Sequence, residues 1–100
     1  MPNETIQTII ERALDTYAAL GELGEEIEDE WSYVTDLVEV WRARLTEVAT
    51  ARGTEPAPPQ VIAAVDRAID EIDRITDPHR AIDWLSTFPQ VVLLAIGERP

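Results

Sequence analysis

Apolar residues recur along this chain at helical rather than alternating spacing. Between Asn3 and Leu20, the residues Ile6, Ile9, Ile10, Ala13, Leu14, Tyr17 and Ala18 share one face, and Thr8, Glu11 and Asp15 take the other. Asn3 is the expected N-cap, because its side-chain oxygen can accept an orphan backbone N–H. Gly21 and Gly24 are expected to end this helix, since glycine readily takes the left-handed C-cap conformation. One helix kinked through Gly21–Gly24 is the alternative.

The next stripe is the strongest pattern in the chain. Ile27, Trp31, Val34, Val38, Trp41, Leu45 and Val48 follow one another in unbroken heptad steps. A helix ending near Arg52–Gly53 is predicted, about 28 residues and roughly 42 Å long. Tyr33, Leu37 and Val40 widen its apolar arc, which implies more than one neighbour and a central position. A two-stranded coiled coil is the alternative, but Trp31 and Trp41 fit poorly at a tight dimer axis. They suit an intramolecular bundle in which Ala13, Ala18, Ala64 and Ala68 supply the small opposing residues.

Residues 54–60, TEPAPPQ, form a short stiff link between antiparallel neighbours, because proline lacks an N–H and disfavours helix before it. A third helix starts near Pro59, with Val61, Val65, Ala68, Ile72 and Ile75 as its stripe and Ile62 and Ile69 beside it. Asp77-Pro78 reads as an N-cap followed by proline in the first turn of a fourth helix. Ala81, Trp84, Leu85 and Phe88 line one side of it. Pro89 is expected to interrupt it, leaving Gln90 to Ile96 as a separate two-turn apolar helix that stops at Gly97. The predicted fold is an all-α antiparallel bundle of four main helices, with a long central second helix and a short apolar C-terminal helix, in one domain over residues 1–100.

Charge narrows the function. Twenty acids and eight bases, all of them arginine, give a net charge of −12, with −9 on residues 1–50 and −3 on residues 51–100. No basic stripe is present for a nucleic-acid backbone or an anionic membrane. The longest apolar run, Val91 to Ile96, is too short to span a bilayer. No signal-peptide pattern opens the sequence, so a cytoplasmic protein is expected. With no cysteine, thiolate chemistry and disulfides are excluded.

Two acidic groups are candidates for a divalent-metal site. Glu22, Glu25, Glu26, Glu28, Asp29 and Glu30 are expected in the first turns of helix two, where the peptide dipoles favour negative charge. Glu26 and Glu30 stand four apart on one face and could converge with Asp70 and Asp73 of helix three on Mg²⁺. Glu25-Glu26-Ile27-Glu28-Asp29 and Asp70-Glu71-Ile72-Asp73 resemble the paired acidic motifs of the all-α nucleoside triphosphate pyrophosphohydrolases of the MazG type, with Asp replacing Glu at one position in each. The resemblance implies metal-dependent nucleotide hydrolysis as an alternative function. A second alternative is an acidic DNA mimic that occupies a nucleic-acid-binding protein.

Other chemistry has less to stand on. The single histidine, His79, has Thr76 three residues before it and so forms no Glu-x-x-His bundle motif. The four glycines make no phosphate-binding loop, and no Gly-x-Ser-x-Gly elbow is present. The concentration of Trp84, Leu85, Phe88, Val91, Val92 and Leu94 near the C-terminus either completes the bundle core by packing across the long helix or leaves part of the stretch exposed as an interface, since such residues anchor protein contacts. The expected function is a non-enzymatic interaction or scaffolding module without a cofactor, homodimeric, with an acidic surface suited to a basic protein partner.

Overall fold

The computed structural model describes residues 4–26 and 31–99, with the side chains of residues 31–34 excepted. It is all-helical: α1 (Ile6–Gly24), α2 (Trp31–Arg52), α3 (Pro59–Ile72) and α4 (Pro78–Ala95) pack around one apolar cluster.

α1 begins where Thr5, in extended conformation, accepts the Thr8 N–H on its side-chain oxygen at 3.3 Å. Thr5 is therefore the N-cap, and Asn3 lies outside the described residues. Further N–H groups of the first turn are taken by the link after α2. Ile6 donates to the Glu55 carbonyl at 2.9 Å and Gln7 to that of Gly53 at 3.1 Å, while Ala57 donates back to Glu4 at 2.8 Å. The proline-rich link thus closes the start of α1 instead of laying α3 along α2.

Gly21 does not end α1. The helix continues to Gly24, and its cap, Glu25, is right-handed. Gly21 serves packing instead: a Cβ there would lie 3.2 Å from Cγ2 of Val38 on α2. The acidic residues that follow are displaced accordingly. Glu22 belongs to the last turn of α1, and Glu25 and Glu26 to the turn beyond it. They stand at the negative end of a helix dipole, not the positive end.

α1 and α4 form the centre, each touching every other helix, whereas α2 and α3 make no contact with each other among the described residues. The expected centrality of the second helix is corrected here. Among the described positions of its stripe, Leu45 and Val48 are fully covered, Val38 and Trp41 are half-buried, and Val40 beside them is 63% exposed. Ile27 and the side chains of Trp31 and Val34 fall outside the description. α1 and α4 carry broader apolar faces, burying Ile9, Ile10 and Tyr17 on one side and Leu85, Phe88 and Leu93 on the other. Nor do all four alanines oppose bulky residues: Ala13 and Ala68 are buried, Ala64 is half-buried, and Ala18 is exposed.

The directions follow from residue pairs. Gln7 meets Gly53 and Gly21 meets Val38, so α1 and α2 run in opposite senses. Tyr17 touches the carbonyls of both Leu37 and Leu85, and Arg52 reaches that of Ile96, so α2 and α4 run in the same sense.

α4 starts as its sequence implies. Asp77 accepts the His79 N–H at 2.9 Å, and Pro78 occupies the first turn. It does not stop at Pro89, which lies inside the helix and is buried, so no separate C-terminal helix exists. The Leu85 carbonyl, which proline leaves without its backbone donor, is met by a side chain. The Tyr17 hydroxyl donates to the Leu85 carbonyl at 2.8 Å, and the Gln90 amide donates to the Ser86 carbonyl at 2.8 Å. α4 ends with Gly97 at φ +85°, while Glu98 donates to Leu93 and Gly97 to Leu94.

Candidate interaction surface

The single helix from Pro78 to Ala95 sorts the expected interface residues into two groups. Leu85, Phe88 and Val92 have no accessible surface and belong to the core of the chain itself. Trp84 and Val91 are half-buried, and Leu94 is 63% exposed. With Arg80 and Thr87, these three make an outer strip: Arg80, Trp84, Thr87, Val91 and Leu94 follow at steps of four and three, so they share one face of α4. This second stripe is readable in the sequence, but the inner stripe of larger apolar residues masks it.

α3 flanks the upper part of the strip. Glu71, Arg74 and Ile75 join Arg80 and Trp84 around a shallow open groove of about 260 Å³. Arg74 donates to Asp70 at 3.1 Å, and both side chains are largely exposed. Arg80 has no ion-pair partner among the described residues. Arg67 lies on α3 itself, and Arg74 in the turn just beyond its end. Sequence reasoning did not place Glu71, Arg74 or Arg80 beside Trp84, because that relation depends on how α3 folds back on α4.

The other ends of α2 and α4 are joined by arginines. Arg52 holds Glu55 through two nitrogens at 3.0 and 3.2 Å, Glu98 at 3.0 Å, and the Ile96 carbonyl at 2.8 Å. Arg44 bonds the Arg99 carbonyl at 3.0 Å and lies 3.6 Å from Glu98. Cations thus meet the negative end of α4, where unpaired helix carbonyls accumulate. The hydrogen bond from Arg52 holds the Glu55 carboxyl below its ordinary value, and Glu55 in turn, with Glu98, raises the guanidinium.

The described candidate metal residues, Glu26, Asp70 and Asp73, are not brought together. Glu26 is exposed in the turn after α1, Asp70 is exposed on α3, Asp73 is exposed at its C-cap, and Glu30 lies outside the described residues. Asp70 is engaged by Arg74, while Asp73 borders Leu20 and Leu23 of α1. Among the described residues, no group of three or more His, Asp or Glu is placed to hold a metal ion. His79 is exposed and contributes its backbone N–H to the α4 cap. No helix among the described residues is long and apolar enough to cross a membrane.

Compared with known proteins, the chain matches no family model, no curated protein and no solved structure. The surface alone carries the functional reading.

Proposed function

We propose that this protein is a small non-enzymatic interaction or scaffolding module that forms a homodimer through the outer strip of α4. The observation that carries this reading is the partly exposed run of Trp84, Val91 and Leu94 on a helix whose inner face is already buried. Tryptophan and arginine are the residues that most often dominate binding energy at protein contacts, and Arg80 and Trp84 supply both here. The remaining surface, on a chain of net charge −12, repels nucleic acid and suits a basic protein partner brought to the dimer.

Light scattering at micromolar concentration tests the proposal. The expected mass is twice the 11.2 kDa of one chain, falling to 11.2 kDa in Leu94→Glu. Because Leu94 is exposed, that substitution leaves the fold of the single chain intact. A wild-type chain that stays at the single mass counts against the reading.

A further inference from the structure

Resting on that reading of α4, we infer that the two copies meet in a two-fold arrangement in which Glu71 of one copy pairs with Arg74 and Arg80 of the other, across their two Trp84 grooves. The occupant of the groove is a second copy because the face is self-complementary in charge. Around the half-buried indole of Trp84 it offers one carboxylate, Glu71, and two guanidinium groups, Arg74 and Arg80. A two-fold axis presents the same patch to itself, so such a mixture of signs places opposite charges against each other.

Net charge argues for the same face. Two chains of −12 repel across most of their surfaces, and association is favoured where arginine is concentrated. At the groove itself two exposed guanidinium groups, Arg74 and Arg80, stand beside one carboxylate, Glu71, although Asp70, Asp73 and Asp77 lie close by in the sequence. Arg80 has no partner of its own among the described residues, so pairing with a second copy breaks no existing ion pair of that side chain. Trp84, Val91 and Leu94 then provide the apolar part of the contact, and the arginines and Glu71 fix its register.

Charge exchange tests this. Glu71→Arg alone, and Arg74→Glu combined with Arg80→Glu, are each expected to weaken self-association about tenfold or more, because each sets like charges against each other. Mixing the two variants is expected to restore a dimer containing one copy of each, seen by native mass spectrometry. All three positions are exposed, so unchanged urea midpoints at low protein concentration confirm that each variant folds. A dimer that is weakened by Leu94→Glu but indifferent to both charge variants overturns this inference and leaves the α4 strip standing. Weakening without restoration in the mixture overturns the two-fold pairing. A wild-type chain that is monomeric throughout overturns both.

Discussion

The hydroxyl of Tyr17 lies 2.8 Å from the carbonyl oxygen of Leu85, the residue four positions before Pro89. In a regular helix the N–H of residue 89 would bond that carbonyl, and proline has none. A tyrosine from α1 thus replaces the missing donor of α4 within the buried core, since Tyr17, Leu85 and Pro89 are all fully buried. The same hydroxyl is 3.1 Å from the Leu37 carbonyl of α2, so one side chain registers three helices.

Tyr17→Phe removes this donor and keeps the ring. It is expected to destabilise the protein by about 1–3 kcal/mol, the cost of leaving a buried carbonyl unpaired. In a Pro89→Ala background the same change is expected to cost less, because the substituted residue brings its own N–H. Urea unfolding of the four chains of this double-mutant cycle measures the difference. Equal costs in both backgrounds would refute the link between Tyr17 and Pro89.

Gly53 marks a close approach of a different kind. It is buried after the last turn of α2, where a Cβ would lie 3.0 Å from the Cβ of Gln7 and overlap the Ala49 carbonyl oxygen. The Gly53 carbonyl also receives the Gln7 N–H. Gly53→Ala is expected to cost about 2 kcal/mol or more and to loosen the start of α1. Faster amide exchange at Ile6 and Gln7 than in the wild type would confirm the mechanism. Wild-type stability in the variant would contradict it.

The Arg52–Glu55 contact makes a pH-dependent contribution. The hydrogen bond from Arg52 depresses the folded-state pKa of Glu55 below its ordinary 4.5, outweighing the opposing effect of desolvation. A depressed carboxyl contributes stability above its unfolded value and loses that contribution as the pH falls through the depressed one. Glu55→Gln is therefore expected to be less stable than the wild type at neutral pH and to converge with it well below pH 4.5. Comparing the two chains cancels the general relief of acidic repulsion on acidification. A stability gap that persists unchanged into acid would exclude this contact as its source.

Helical content, the Asp77–Pro78 start of α4 and the Gly97 stop were legible in the sequence, because each depends on residues within a turn or two of one another. What the sequence concealed depended on distant partners. Pro89 looks like a break until Tyr17, seventy-two residues earlier, is found beside it. Gly21 looks like a stop until Val38 is seen against it. The regular heptads of α2 suggested a centre, but a stripe records only that a face is covered, and α1 and α4 proved to be the helices that touch all the others. At the candidate surface, the apolar residues of α4 were visible in advance. Their division into core and outer strip required the helix to continue through Pro89, which fixes the faces of Val91, Val92 and Leu94 relative to Trp84.

The most direct measurement of the proposed interface is the accessibility of Trp84 itself. In a chain carrying Trp31→Phe and Trp41→Phe, Trp84 is the only indole left, and its fluorescence can be quenched by acrylamide at micromolar protein concentration. Weak quenching is expected in that chain and markedly stronger quenching once Leu94→Glu is added, as the partner copy leaves the strip. Equal and strong quenching in both would mean that nothing covers Trp84, and the reading of α4 as an interface would fail.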